Sequence, residues 1–391
     1  MENVQNVKPF FQDQAHSIGS EVWEIAKKIG EHPELGYQEF YAVGLFELFL
    51  RRHGFTFDQG VAGLETAFVA SFQGSRPGPR IAFLAEYDAL PGIGHGCGHN
   101  LIGAASAGAA VILSKNGDLP GEVLVIGTPA EETSGAKVTL VEQGIFTGID
   151  AAMMVHPGSQ NVAEISTLAL DAIEFTFHGR AAHAVAAAKH GINALDALID
   201  FFVAINTLKK QLPDHTKVNG IITEGGVVPN IIPEIASARF YLRSGTRDNL
   251  DAVREQVVRC AQGAAARVGA QVTWRNYEFS YDEMQTNKPL AQCFVNNLKE
   301  LGINHISSPQ TAMGSVDMGN VSRVVPAIHP YLMLGLGTEV PHTHSFTQAV
   351  TSADGERLLM LAIRALAYTG WDVLNDAKLL QRIQRAFRQK K

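Results

Sequence analysis

Apolar residues recur at Val22, Ile25, Ala26 and Ile29, and again at Phe40, Val43, Leu45, Phe46 and Phe49, the three-and-four spacing of helices that bury one face. The pattern makes Gln12 to Gly54 helical, broken at His32-Pro33, where proline removes a backbone donor. Short apolar runs then alternate with helical stretches. Arg80 to Glu86 reads as a buried strand, Leu101 to Leu113 as a small-residue helix, and Glu122 to Gly127 and Ala151 to Val155 as further strands. That alternation predicts an α/β fold with a mainly parallel sheet covered on both faces. From about Leu168 to Tyr281 the texture changes. Strands at Asp171 to His178, Lys217 to Glu224, Glu234 to Arg243 and Ala270 to Tyr277 enclose helices at Ile192 to Leu212 and Asp248 to Val268. This β-α-β-β-α-β order is that of a ferredoxin-like split unit, long enough to be a self-contained insertion over 168–281. The rest, Lys288 to Trp371, carries a helix, the glycine-rich stretch Met313 to Asn320, an apolar run at Tyr331 to Leu336 and a final helix from Ser352. It is expected to complete the first domain, as 1–167 with 282–391, and the basic tail after Lys378 reads as a solvated helix end.

Composition narrows the function. A chain of 391 residues exceeds one typical core, in keeping with two domains. Its net charge of -7, with lysine and arginine scattered, provides no basic stripe; nucleic acid and anionic membranes are poor partners, and small molecules are expected instead. Three cysteines, Cys97, Cys260 and Cys293, are too few for a disulfide framework and fit a reducing compartment. No apolar leader core precedes Pro9 and no later run approaches ~18 apolar residues, so the expected location is cytoplasmic.

The candidate chemistry collects after the strands. Asp88, Glu131, Glu132 and His156 each follow a predicted strand, and open α/β sheets bind ligands beyond the carboxyl ends of their strands. The segment Pro91 to Gly103 packs His95, Cys97 and His99 into one glycine-rich turn, where a thiolate and an imidazole can reach one ion. Alone this is a modest signal, because a lone buried cysteine is usually inert packing. Adjacent Glu131 and Glu132 would repel unless a cation sits beside them; one would then be a ligand and its neighbour a general base toward water. Without the Cys-x-His they would read as a solvated pair opening a helix. His156 ends a short strand before Pro-Gly, and His342 and His344 lie in Pro-His-Thr-His-Ser-Phe, where one of the two is an outer or surface group. Cys97, His99, Glu132, His156 and one late histidine form a mixed S, N and O set suited to zinc or manganese, as a pair of ions ~3.5 to 4 Å apart.

Taken in order, Lys28-Ile-Gly-Glu-His-Pro-Glu-Leu-Gly-Tyr-Gln-Glu39, Tyr87-Asp-Ala-Leu-Pro91, Cys97-Gly-His99, Pro129-Ala-Glu-Glu132, His183-Ala, Gly225-Gly226 with Asn230-Ile-Ile-Pro233, and Gly314-Ser-Val-Asp317 resemble the aminoacylase and carboxypeptidase G superfamily of metallopeptidases over nearly the whole chain. Within it the chain is similar to the amidohydrolase branch that holds hippurate hydrolase, indoleacetyl-amino-acid hydrolases, p-aminobenzoyl-glutamate hydrolase and Xaa-Arg dipeptidase. Most of that branch reads Cys-Gly-His-Asp, whereas Asn100 follows His99 here; with Gly-Ile-Gly-His and the run at Asn320, this tilts the likeness to the last two. The resemblance implies a catalytic domain and an inserted lid and dimerisation domain, with a homodimer as the working form. It implies metal ligands at Cys97, His99, Glu132, His156 and a late histidine, with Glu131 as general base. The family's late ligand lies four residues before an aromatic, which favours His342 before Phe346. His183 is implied to reach the partner's active site and polarise the scissile carbonyl, and Asn230, Arg243 and Gly314 to hold substrate.

The implied reaction is hydrolysis of the amide bond of an N-acyl amino acid or dipeptide by metal-activated water. Two other classes compete with it. A cysteine hydrolase would use Cys97 as nucleophile with a nearby histidine as base. A non-catalytic ligand- or metal-binding protein on the same scaffold would not need Glu131 beside a ligand.

Overall fold

The computed structural model describes residues 7–308 and 314–389. Met1 to Asn6, Met313 at the head of the glycine-rich stretch, and the last two lysines of the basic tail lie outside them. The chain divides into two compact units, Met1–Ser166 with Met284–Lys391, and Thr167–Glu283.

The first unit begins with helix α1 (Lys8–Glu31), which buries Phe11, Val22, Ala26 and Ile29, and stops at His32 before Pro33. Helix α2 (Phe40–Arg52) buries Val43, Phe46 and Phe49. Strands β1 (Thr56–Gln59) and β2 (Phe68–Gln73) pair antiparallel and extend the sheet on one side. Sequence periodicity missed them because β1 is four residues long and buries only Phe57. Strand β3 (Arg76–Ala85), helix α3 (His99–Ser114), strand β4 (Pro120–Gly127), helix α4 (Ala136–Glu142) and strand β5 (Ala151–Met153) form the alternating layer, and β3 pairs parallel with both β4 and β5. All residues of α3 from His99 to Leu113 are buried, because it packs on β3 and β4 and beneath α1. A helix sandwiched in this way has no polar face, which explains its run of Gly and Ala. Strand β6 (His156–Gly158) follows directly.

The second unit runs β7 (Ala169–His178), β8 (Ala182–His183), α5 (Ala194–Lys209), β9 (Lys217–Glu224), β10 (Ile231–Ile232), β11 (Ile235–Ser244), α6 (Arg247–Val268) and β12 (Gln271–Asn276). Its four long strands form an antiparallel sheet in the order β12-β7-β11-β9, with β8 and β10 as a separate short pair. Both helices have side-chain caps: Asn193 accepts from Leu195 N and Asp196 N, and Thr246 accepts from Asn249 N. They close a core of Phe175, Phe177, Phe201, Phe240 and Val257.

The chain returns to the first unit through α7 (Lys288–Glu300), α8 (Met318–Val324), β13 (Ala327–Ile328), β14 (Tyr331–Met333), α9 (His344–Val350), α10 (Ala353–Asn375) and α11 (Ala377–Arg388). Strand β13 pairs parallel with β5, completing a sheet of order β1-β2-β4-β3-β5-β13 whose centre is parallel; β14 pairs parallel with β6, setting Tyr331 opposite His156. Ser352 caps α10 by accepting from Asp354 N. The tail is a correction to the sequence reading. It forms α11, which seats Leu379 and Ile383 in the core and receives a hydrogen bond on Ile383 O from Asn287 Nδ2. Leu379, Leu380 and Ile383 already carried the helical spacing, but the surrounding charge masked it.

Gly103 sits where α3 crosses the end of β3. A Cβ there would lie 2.6 Å from Glu86 O and 2.7 Å from Phe46 Cζ. Helix propensity favours alanine by ~1 kcal/mol, but a backbone oxygen cannot rotate away, and overpacking costs about 1 to 3 kcal/mol. We expect Gly103→Ala to be net destabilising in urea unfolding, with a lower midpoint at unchanged slope.

Candidate metal centre

The ends of β3, β4 and β5 deliver Glu86 and Asp88, Glu131 and Glu132, and His156 to one edge of the sheet. Between β3 and α3 the chain turns through Gly92, Gly94 and Gly98, all at positive φ. At Gly98 a Cβ would strike Pro157 Cγ at 2.8 Å, so glycine here both permits the left-handed backbone and lets the Cys97 turn lie against the His156 strand. Three overlapping groups of donor atoms result, each with all members within 4.8 Å of one another: Cys97, His99 and His156; Cys97, Glu132 and His342; His99, Glu131 and Glu132. His99 Nε2 lies 3.9 Å from Glu132 Oε1 and 4.0 Å from Glu131 Oε2, and His342 Nε2 lies 3.7 Å from Glu132 Oε1. His342 has a left-handed backbone (φ 66°) and its N–H donates to Gly96 O at 2.9 Å, tying the late loop to the cysteine turn. His344 begins α9 and, although exposed like His342, enters none of these groups.

Backbone and carboxylate partners orient the imidazoles. His99 Nδ1 donates to Asp88 Oδ1 at 2.8 Å, and His156 Nδ1 donates to Pro157 O at 2.6 Å, which leaves Nε2 of each ring as the nitrogen that can face an ion. Asp88 also accepts from Glu132 N at 2.9 Å through its other oxygen. Sequence analysis placed Asp88 at the strand end but gave it no role; two hydrogen bonds make it the hinge between His99 and Glu132. Buried His329 is a second residue without a sequence signal, its ring centroid 5.5 Å from that of His156. His95 is buried in the same turn as Cys97 but joins none of the donor groups.

Charge balance tests whether these residues suit a cation. Glu86 Oε2, His99 Nε2 and Glu132 Oε1 are buried with no hydrogen-bond partner, an arrangement that costs about 1 to 3 kcal/mol per group. Burial, then Glu132 and Glu131, push the Cys97 thiol far up, which disfavours a free thiolate and with it the cysteine-nucleophile reading. Burial, then Asp317, Glu86 and Glu132, raise Glu131 well above the usual carboxylate range. Burial opposes the charging of His99, but Asp88 and Glu86 outweigh it and raise its pKa. A cation among these atoms would satisfy the lone pairs and relieve the crowding of acids, and the donor set of thiol, imidazole and carboxylate fits a divalent metal.

The run from Glu34 to Glu39 braces both loops that carry the acids. Glu34 O accepts from Ala89 N at 2.8 Å, and Glu39 Oε1 accepts at 2.9 Å from the N–H of Ala130, which is held at φ 58° just before Glu131. Thr66 Oγ1 donates to the other Glu39 oxygen at 2.8 Å. A Cβ on Gly36 would lie 2.7 Å from Ala130 Cβ, so the segment packs directly under the turn.

In the second unit, His183 and Asn230 lie together: Ile231 pairs with His183, and Asn230 O accepts from Ala184 N at 3.0 Å. His183 is exposed and its Nδ1 accepts from Val185 N and Ala186 N at 3.2 and 3.1 Å, which puts the ring proton on Nε2. Arg243 is at the far end of β11, roughly 25 Å along the strand from Ile235, with its guanidinium 4.8 Å from the Tyr241 ring centroid. The unit therefore does not bring Arg243 to the His183 and Asn230 pair. Gly314, in the first unit, is exposed at φ 89°.

A parallel sheet with cysteine, histidine and paired glutamates at its carboxyl edge has the constitution of a metal-dependent hydrolase. Residues 82–364 match the profile of Peptidase family M20/M25/M40, and the chain belongs to that family. It is 35% identical to the Xaa-Arg dipeptidase of Homo sapiens over 388 residues, 94% of this chain and 88% of that protein. It is 26% identical to a p-aminobenzoyl-glutamate hydrolase polypeptide of Escherichia coli, over 99% of this chain and 96% of that one. A Bacillus subtilis structure described as a dinuclear metal binding peptidase from the same family superposes with a TM-score of 0.69 at 22% identity, covering 92% of this chain and 100% of that one, a likeness of fold. The protein is a metal-dependent hydrolase of amide or peptide bonds.

Glu39 connects the brace to pH. Burial first, opposed by the Thr66 and Ala130 hydrogen bonds, raises its carboxyl to about 7. The folded protein therefore binds a proton that the unfolded chain has released between about pH 4.5 and 7, so stability falls as pH rises through that window and the penalty is complete above it. Glu39→Gln keeps an acceptor for Ala130 N–H and removes the titration. Urea midpoints of this variant should be flatter than wild type from pH 5 to 8, with an advantage of roughly 1 to 3 kcal/mol at pH 8.

Proposed function

We propose that this protein is a two-metal dipeptidase of the Xaa-Arg type, with zinc or manganese held by Cys97, His99, Glu132, His156 and His342. The observation that carries the reading is the convergence of unpartnered buried atoms, His99 Nε2 and Glu132 Oε1, beside a second carboxylate, Glu131. When bound, the metal polarises the scissile carbonyl and activates water. Glu131 takes the proton from the attacking water and returns it to the leaving amine. The higher identity to the human dipeptidase than to the p-aminobenzoyl-glutamate hydrolase favours a dipeptide over the aryl-amide substrate.

The second unit, ferredoxin-like in its strand order, serves as lid and dimerisation domain. β9 is an edge strand carrying exposed Ile221 and Ile222, and α5 exposes Ile199 and Val203 one turn apart, an apolar strip that a second copy would cover. His183 presents Nε2–H to the partner's substrate carbonyl, and Asn230 beside it contacts the same substrate. Three cysteines in all, too few for a disulfide framework, favour a cytoplasmic setting; among the described residues no helix is long and apolar enough to cross a membrane.

Metal-stripped protein reloaded with zinc, manganese or cobalt should hydrolyse Xaa-Arg dipeptides with kcat/KM above those for p-aminobenzoyl-glutamate and N-acyl amino acids; the reverse ranking would replace the substrate assignment. Glu131→Gln should bind metal normally yet lose about 10²- to 10⁴-fold in kcat. His183→Ala should lower kcat about 10²- to 10³-fold with little change in KM, and an unchanged kcat would remove His183 from the reaction.

A further inference from the structure

Behind the donor cluster lies a group of charges that the proposed reaction does not use. Lys137, in the first turn of α4, is fully buried; its Nζ donates to Glu86 Oε1 at 2.6 Å and to Asp317 Oδ1 at 2.7 Å. Its backbone N–H donates to the second Asp317 oxygen at 3.2 Å. Glu86 and Asp317 are at 1% and 0% exposure, and the three groups come from three separate elements: the end of β3, α4 and the turn before α8. Burying an ammonium between two carboxylates desolvates three ions, and an apolar filler of the same volume is often no worse for stability. What the trio does accomplish is geometric. With Oε1 committed to Lys137, Glu86 has no freedom to turn, and its other oxygen, Oε2, stands 3.4 Å from His99 Nε2. Neither of these two atoms has a hydrogen-bond partner. His99 Nδ1–H is already given to Asp88, so it is Nε2, the nitrogen left to ligate a metal, that faces Glu86 Oε2.

We propose that Glu86, locked by Lys137 and Asp317, is a positioning residue for the metal centre: a fixed carboxylate behind His99 that favours cation binding there. The proposal rests on the metal-dependent reading above. Lys137 has the complementary duty of occupying Glu86 Oε1, so that the carboxylate supports the His99 site without swinging away from it. The net charge of the trio is one negative, the sign that raises affinity for a divalent ion.

The test is isothermal titration of zinc and manganese into metal-stripped wild type, Glu86→Gln, Lys137→Met and the Lys137→Met/Glu86→Gln double variant, with thermal melts of each metal-free protein. Glu86→Gln should weaken metal binding about 10- to 100-fold, as outer partners of metal ligands do, while its metal-free melting temperature stays at or above wild type. Lys137→Met leaves two acids unpaired and should melt lower. The double variant removes one of those acids and should regain melting temperature without regaining metal affinity, a separation that a purely structural trio would not produce. A metal Kd for Glu86→Gln within about twofold of wild type, well short of that range, overturns the proposal and leaves the hydrolase reading intact. Failure of wild type itself to take up either metal overturns both.

Discussion

An excess of buried negative charge at one edge of a sheet governs this molecule. Glu86, Asp88, Glu132 and Asp317, with Glu131 beside them, gather around His99 with one ammonium, Lys137, among them. Burial among these acids raises the Glu131 carboxyl well above its usual range and leaves Glu86 Oε2 and Glu132 Oε1 without donors, unless positive charge is supplied from outside the chain. Three of these acids are held by something else: Asp88 by His99 and the Glu132 N–H, Glu86 and Asp317 by Lys137. The same constraint explains why Cys97 belongs here. A thiol surrounded by acids is a poor free nucleophile but a good soft ligand once a cation removes its proton.

Precision at the edge comes from backbone rather than from the acids. Parallel strands β3 and β4 end at paired residues, Ala85 and Gly127, with β5 ending beside Phe83, and the loops after them are then bent by a few positions of positive φ, at Gly98, Ala130 and His342. Alanine and histidine at such angles carry strain, which persists only where surroundings over-determine the turn. At Ala130 the surroundings are Glu39 and Gly36; at His342 the Gly96 carbonyl holds the chain. The segment Glu34 to Glu39, remote in sequence from any donor residue, is therefore part of the apparatus that aims Glu131 and Glu132.

The second unit obeys a simpler logic. Its helices cover one face of an antiparallel sheet and its phenylalanines close a core without help from the first unit. His183 and Asn230 stand on its short β8 and β10 pair, where two backbone amides choose the imidazole tautomer and leave a donor at the surface.

Much of this was legible in the chain. Periodicity located the helices and central strands to within a few residues, because burial of one face or both dictates which positions are apolar, and the Cys-x-His and Glu-Glu motifs announced their chemistry by residue type. It was silent where order depends on contacts distant in sequence. Strands β1 and β2 are short and exist through pairing; α11 is too charged to read as packed; His329 and Lys137 look like ordinary polar residues until folding buries them, and Asp88, placed after its strand by pattern, acquires a role only through its hydrogen bonds. His342 and His344 are equivalent by composition, and only the left-handed turn at His342, fastened to Gly96, separates them. Sequence alone determined which elements form and which residue types could bind a cation, since both follow from local pattern and intrinsic chemistry. Tertiary structure decided which of those residues meet, because orientation and unpaired charge arise only when strands far apart in the chain end side by side.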